Sequence, residues 1–262
     1  MTQGQKQASA PSITPREPAA RNLTSLRQRA SALRSIVRAA RHILFDPTQA
    51  RGLPTWLLSV AGLQSLAPPV PWLPLNAIAR LERVLERGWR VFEYGAGNST
   101  AFWRRHGAEV VSLEHDESWY RAVVAQMPSA DRASCILHVP ADAPAPGLAA
   151  GVFDPSDPDL YQSDDQAFRQ RTFRAYVTAI DRYPSSHFDL ILVDGRARPS
   201  CIKHALPHLK PGGLLVVDNI DREYYLRKTR ALLAGYTLDI VEGYAPTLTS
   251  PTSPGFFHLR AR

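Results

Sequence analysis

Between residues 26 and 44, apolar side chains recur at Leu26, Ala30, Leu33, Val37, Ala40 and Leu44. Steps of three and four place them on one helical face, so a helix over about residues 22–45 is expected. Arg27, Arg34 and Arg41 flank that face. The stretch "LAPPVPWLP" (66–74) is proline-rich and reads as a stiff linker. Pro74 suits the first turn of a helix over "LNAIARLERVLERG", with Ile78, Leu81 and Leu85 on one face and Gly88 as its stop.

Beyond Gly88 the period alternates. "RVFEYG", "EVVSLEHD", "SCILHVPAD", "FDLILVDG" and "LLVVDN" are short apolar runs that read as strands. Between them lie helical stretches: "NSTAFWRRHG", "ESWYRAVVAQM", "QAFRQRTFRAYVTAIDRY", "CIKHALPHLKPGG" with its turn, and then "DREYYLRKTRALLAG". Two final strands, "YTLDIVEGY" and "GFFHLRA", are joined by the loop "APTLTSPTSP" with no helix between them. Strand–helix alternation predicts a parallel α/β sheet covered on both faces, and the last pair an antiparallel hairpin on its edge.

The 262 residues, 44% of them hydrophobic, suffice for one large α/β domain with an extension. Residues 1–20 read as a disordered tail, 21–68 as a basic helical extension and 69–262 as the main domain. No apolar run reaches the roughly 18–20 residues of a membrane span. "MTQGQKQASAPS" has no apolar core, so no secretory leader is expected. Two cysteines, Cys135 and Cys201, are too few for a disulfide framework or zinc cluster and read as reduced, buried thiols of a cytoplasmic protein.

The net charge of +7 is local. Residues 1–51 hold nine basic side chains against two acidic ones, so the remainder is neutral. The basic helix admits three uses: packing on its own domain or a protein partner, contact with an anionic polymer or the inner membrane face, or an organelle transit signal. Its removal with residues 1–50 is expected to spare cofactor affinity.

"VFEYGAGNST" (91–100) places two glycines between the first strand and a helix. In open α/β sheets ligands bind beyond the carboxyl ends of the strands. Gly95 and Gly97 would allow close backbone approach and positive φ there. A tight turn with no ligand is the alternative. Glu114 closes the second strand, 21 residues after Glu93, where a carboxylate can accept from both hydroxyls of a ribose.

On these stretches the chain, over about residues 70–260, resembles the class I S-adenosylmethionine-dependent methyltransferases. "VFEYGAGNST" is similar to their first motif, "VVSLEHD" to the second-strand motif, "FDLILVDG" to the fourth-strand motif, and "LKPGGLLVVDN" to the turn and fifth strand. The third glycine of the usual pattern is Ser99 here. "VPWLP", "LEHDESWY", "VDGRARPSC" and "DNIDREYY" are similar to uncharacterised bacterial members. The resemblance implies a seven-stranded, mostly parallel Rossmann-like sheet with helices on both faces. It also implies S-adenosyl-L-methionine held by Glu93, Tyr94, Gly95, Ala96, Gly97, Asn98, Ser99, Thr100, Glu114, His115 and Asp194.

Methyl transfer to oxygen or nitrogen needs alignment and removal of a proton. Asp194 and His115 are the candidate bases, with His204 behind them. Asp194, Asp218 and Asn219 are similar to the set that holds a divalent cation in catechol-type enzymes, which would imply Mg2+. Alternatively Asp194 caps the next turn or orients substrate, and "DN" simply ends a strand. Arg196 and Arg198 could bind an anionic group on the acceptor, or be solvated surface charge. Trp72 and the loop 245–254 could form a wall and a lid.

The expected function is therefore methylation of oxygen on a small-molecule or glycan-like acceptor, without DNA. The rivals are an RNA-directed methyltransferase using the basic arm, a non-catalytic cofactor-binding or membrane-recruited adaptor, and a nicotinamide- or flavin-dependent oxidoreductase. "GAGNST" lacks the last glycine of the dinucleotide pattern, which counts against the oxidoreductase.

Overall fold

The computed structural model describes residues 26–63, 66–139 and 152–259. The expected tail over 1–20, residues 22–25 of the first helix and 140–142 of the third strand lie outside them.

Three helices precede the sheet: α1 (Leu26–Phe45), α2 (Leu53–Val60) and α3 (Leu75–Val84). The alternating part follows as β1 (Arg90–Tyr94), α4 (Asn98–Arg105), β2 (Glu109–Glu114), α5 (Glu117–Gln126) and β3 (Cys135–Leu137). Then come α6 (Arg174–Val177), β4 (Phe188–Val193), α7 (Arg198–Ala205), β5 (Leu209–Val217) and α8 (Tyr224–Arg227). The chain closes with β6 (Tyr236–Ile240), β7 (Gly243–Tyr244), β8 (Pro251–Thr252) and β9 (Gly255–Leu259).

Seven strands form one sheet in the order β3-β2-β1-β4-β5-β9-β6. Pairing is parallel from β3 through β5, and β9 runs antiparallel to both β5 and β6. The order reverses between β1 and β4, so β1 and β4 flank the switch point. This is the expected Rossmann-like sheet with its antiparallel edge.

The period-2 pleat explains the uninterrupted apolar runs. Phe92, Ile191, Val193, Leu215 and Val217 face one core with Phe173, Tyr176 and Cys201. Val91, Leu190, Leu192, Leu214 and Val216 face the other with Phe102, Trp103 and the N-terminal helices. Both faces are covered, so neither strand surface needs polar side chains.

Several expectations change, among them the helix expected over 221–235, of which only α8 forms. The apolar face of α1 is not the one that packs: Ala39 and Ile43 are buried with Trp56, Leu73 and Leu81, whereas Leu33, Val37 and Leu44 are exposed. Through Ala39 and Ile43 the helix packs on its own domain, one of the uses expected for it. The long helix expected over 166–183 is broken, because the Phe173 N–H donates to the Tyr161 carbonyl at 3.0 Å and only α6 and short 3-10 turns form around it. The "PGG" segment is not a turn before β5 but lies within it. There Phe188 pairs Leu209 while Leu190 pairs Leu214, so extra residues bulge opposite Asp189. Finally, the 245–254 loop is no free lid: β8 pairs β7, Trp56 Nε1 donates to Leu248 O at 2.8 Å, and Thr247 N–H donates to Ser59 Oγ at 3.0 Å.

Among the described residues no helix is long and apolar enough to cross a membrane. Cys135 and Cys201 are free and buried. Burial pushes the Cys135 thiol up to about 12.

Candidate active site

A cleft of about 540 Å³ opens beyond the carboxyl ends of β1, β2 and β4, within the roughly 300–1,000 Å³ typical of ligand pockets. The backbone from Gly95 to Ser99 forms one wall, and Glu114 to Asp116 with Ser118 and Trp119 another. Asp194, Gly195, Arg196 and Arg198 close the third side, with Trp72 across the mouth. The sheet assembles this site by bringing the ends of neighbouring strands together.

The glycine loop is built from beneath. Glu93 is fully buried. One carboxylate oxygen accepts from Ser112 Oγ at 2.5 Å and from Thr100 Oγ1, and the other from Trp103 Nε1 at 3.0 Å. Burial raises its pKa, and these hydrogen bonds oppose the rise. Thr100 also accepts from the Gly97 N–H at 3.1 Å, which ties α4 to the loop. Glu93, Tyr94 and Thr100, expected to touch the cofactor, therefore stand behind the loop and off the cleft surface. Tyr94 is likewise fully buried, and its hydroxyl donates to Val177 O at 2.9 Å. Gly95 adopts φ +105°, whereas Gly97 is extended at φ 176°, a value any residue adopts.

Glu114, for which the resemblance implies a ribose contact, lines the cleft at the end of β2. Its Oε1 accepts the backbone N–H groups of His115 at 2.7 Å and Asp116 at 2.8 Å, which fixes the carboxylate at the cleft edge. Asp116 caps α5 by accepting from Trp119 N–H at 3.0 Å. Trp119 Nε1 donates to Ala96 O at 2.7 Å, and its ring lies 5.6 Å from that of Trp72. Trp119, Asp116 and Ser118 were not singled out from sequence. The available signal was an indole in the first turn of a helix directly after the strand-end acid.

The two candidate bases differ. His115 packs against Phe168, Phe173 and Tyr176, with Nδ1 2.8 Å from Glu114 Oε1. Asp194 lines the cleft at the switch point. Burial, then the nearby Asp218 carboxylate, raises the Asp194 pKa well above the ordinary carboxylate range, and Arg198 opposes the rise. His204 lies off the cleft, bonded to Asp181 at 2.9 Å.

Arg198 is buried beneath Asp194. Its Nη2 donates to Asp194 Oδ1 at 3.0 Å and Asp194 O at 3.3 Å, and its Nε to Gly195 O at 3.1 Å. Its Nη1 donates to Asp218 O and to Asn219 Oδ1 at 3.4 Å. A guanidinium offers five N–H donors, and all five are used here. Arg198 is thus spoken for inside the protein and does not serve as the expected acceptor ligand. Arg196 is half-exposed on the cleft wall and pairs with Asp165 at 2.8 Å.

The expected Mg2+ site does not fit these residues. Asp194 and Asn219 both point their oxygens at Arg198, and Asp218 Oδ2 lies 3.7 Å from Arg198 Nη1. No cluster of three acidic, histidine or cysteine ligands occurs among the described residues. S-adenosylmethionine does fit: the cleft offers bare backbone at Gly95–Ser99 and a fixed carboxylate at Glu114.

No family profile and no curated protein matches the chain. Solved structures similar to it include the O-methyltransferase TomG from Streptomyces achromogenes, involved in tomaymycin synthesis and in complex with SAM. It is 14% identical, with 87% of this chain and 96% of that one covered and a TM-score of 0.48. An O-methyltransferase from Bacillus cereus in complex with SAH is 15% identical over 88% of this chain and 91% of its own, at TM-score 0.44. A methyltransferase from Pyrococcus furiosus is 16% identical over 71% and 83%, at 0.38. At these identities and scores the likenesses decide nothing about activity or substrate.

Proposed function

We propose that this protein is an S-adenosylmethionine-dependent methyltransferase acting on oxygen of a small-molecule or glycan-like acceptor. One observation carries the proposal: the bare Gly95–Ser99 backbone, the Glu114 carboxylate and Asp194 converge on one cleft at the switch point of the sheet. When bound, the cofactor supplies an electrophilic sulfonium methyl. Glu114 would accept from its ribose hydroxyls, and the Gly95–Ser99 backbone would hold its amino-acid end. Asp194, with its raised pKa, takes the proton from the acceptor hydroxyl as a general base. Trp72 and Trp119 shield that end of the cleft and offer ring faces to a planar or sugar acceptor.

The test is calorimetric titration with S-adenosylmethionine and with NAD, followed by incubation with methyl-labelled cofactor and a metabolite extract. Binding of the first ligand with label transfer supports the reading. Binding of NAD instead would favour the oxidoreductase, and cofactor binding without any transfer the adaptor.

The α1 surface favours a second role, recruitment to an anionic membrane face. Leu33, Val37, Leu44 and Phe45 are exposed beside Arg34, Arg38 and Arg41. α1 carries no acid in its first turn, and such a stripe bordered by arginines matches an interfacial helix. Sedimentation with phosphatidylglycerol vesicles, but not with phosphatidylcholine vesicles, is expected, and Leu33→Ser/Val37→Ser should abolish it. Equal failure on both vesicle types would overturn this role. Retention on RNA with a steep salt dependence would favour the RNA-directed alternative.

A further inference from the structure

We infer that Arg198 is a built-in cation that occupies the position of a divalent metal, so that this site works with a fixed guanidinium in place of a bound ion. The acidic and amide groups at the ends of β4 and β5 form an oxygen-rich cage. It is made of the Asp194 carboxylate and carbonyl, the Gly195 and Asp218 carbonyls, the Asn219 amide oxygen and the Asp218 carboxylate. Hard divalent cations take such oxygen sets. Here the five N–H groups of one side chain bond five of these oxygens, and the Asp218 carboxylate stands at ion-pair distance, 3.7 Å, without a hydrogen bond from the guanidinium.

Three features fix the guanidinium there. Arg198 begins α7, and the preceding residue, Ala197, holds a left-handed φ of 49°, which turns the chain into the helix. Asn219 also sits at positive φ, 54°, just after β5. Both are uncommon conformations for residues with a Cβ, and both border the cage. The Tyr225 ring lies 5.0 Å from the guanidinium carbon, in cation–π range, on α8. The arginine is therefore held by backbone turns from two strand ends and an aromatic face, and it is nearly closed to solvent.

The charge balance follows. Asp194 and Asp218 would repel if both ionised, and Arg198 lies within 3.0 Å of one and 3.7 Å of the other. A divalent ion added to the cage would meet the guanidinium at contact distance, which like charges oppose. Arg198 is a positioning residue: it aims the Asp194 carboxyl, the group that touches the acceptor in the proposed reaction. That last clause rests on the methyltransferase reading, whereas occupancy of the cage does not.

The experiment is Mn2+ binding followed by electron paramagnetic resonance on the full chain, with circular dichroism to check folding. The wild type is expected to bind no Mn2+ that Asp194→Asn removes. Arg198→Ala empties the cage and should bind one Mn2+ at least about tenfold more tightly than the wild type, and adding Asp218→Asn should erase that gain. Wild-type Mn2+ binding lost in Asp194→Asn, or a folded Arg198→Ala with no gain, would overturn the inference. If Arg198→Ala does not fold, Arg198→Gln takes its place, because it removes the charge while keeping N–H donors for the cage: a folded Arg198→Gln that gains no Mn2+ over the wild type overturns the inference equally. Under the methyltransferase reading, wild-type turnover should also survive chelator, and Arg198→Lys should recover part of what Arg198→Ala loses. Absent turnover in the wild type would count against that reading and leave the Mn2+ result standing.

Discussion

Gly95 lies against the backbone of Asp194 so closely that a Cβ on the glycine would stand 3.1 Å from the Asp194 carbonyl carbon and oxygen. Two strand ends are thereby clamped together, and the glycine at φ +105° is the only residue type at ease there. Gly95→Ala is expected to destabilise by about 1–3 kcal/mol and to weaken S-adenosylmethionine binding, because the loop must lift off Asp194. Gly97→Ala should be far milder, since a Cβ there meets Trp119 at an ordinary 3.8 Å. Thermal unfolding and calorimetry on the pair check this; equal losses would refute it.

Glu93 predicts a pH signature. Its folded pKa is raised above the ordinary 4.5 by burial. The native state then holds its proton more tightly than the unfolded state, so the contribution of Glu93 to stability is fully present below about pH 4.5 and is lost as pH rises through the folded value. Glu93→Gln removes that slope while keeping an oxygen for Thr100 and Ser112. Urea unfolding of both proteins across pH should show a flatter curve for the variant. A slope unchanged by the substitution would place the titrating group elsewhere.

Much of this scaffold was legible in the sequence. The strands stood out because both sheet faces are buried, so β4 reads as the continuous run "FDLILV". The cleft was legible as a set of strand ends, through Gly95, Glu114 and Asp194. Three things were not. The α1 sequence holds two apolar rows at helical spacing, and nothing local says that Ile36, Ala39 and Ile43 pack while Leu33 and Val37 do not. Glu93 is an acid before the glycines in either role, and its burial under Thr100 and Trp103 depends on how α4 folds back. Arg198 reads from sequence as an acceptor ligand or as surface charge, because its acceptors at Asp218 and Asn219 lie some 20 residues on and meet it only through the β4–β5 pairing.

Asp194 predicts the pH dependence of turnover. A general base must be ionised, and this carboxyl titrates well above the ordinary 3.8. Activity is expected to climb with pH through a midpoint displaced upward from free aspartate. Asp218→Asn removes the neighbouring carboxylate that helps raise it, so the midpoint should move down. Asp194→Asn should bind cofactor within about threefold of wild type, below roughly 0.7 kcal/mol, and lose turnover. Full activity in Asp194→Asn would remove it from the mechanism and leave His115.

Glu114 predicts affinity without stability. Its carboxylate touches the cleft while Oε1 braces two N–H groups of its own turn. Glu114→Gln keeps an oxygen for the turn and loses the charge toward the ribose. A charged hydrogen bond is worth about 1.5–3 kcal/mol, so cofactor affinity should fall on the order of 10- to 100-fold with little change in melting temperature. Unchanged affinity would displace the ribose from this corner.

Ile43 bears on how the N-terminal extension belongs to the domain. Its side chain is fully buried among Trp56, Leu73 and Leu81, whereas Leu33, two to three turns earlier on α1, is 61% exposed. Ile43→Ala should therefore cost about 2–5 kcal/mol, and Leu33→Ala should stay within about 0.5 kcal/mol of wild type. The same packing argues against the expectation that removal of residues 1–50 spares cofactor affinity. Deleting them strips Ala39 and Ile43 from the core and bares Trp56, whose indole anchors the 245–254 loop through Leu248. That loop shares a small cavity with Trp72 and Asn98 of the cleft. The truncated protein is expected to unfold at lower urea and to bind cofactor more weakly, and unfolding curves with calorimetry on the same sample measure both. Wild-type stability in the truncation would mean that α1 is a passenger on this surface.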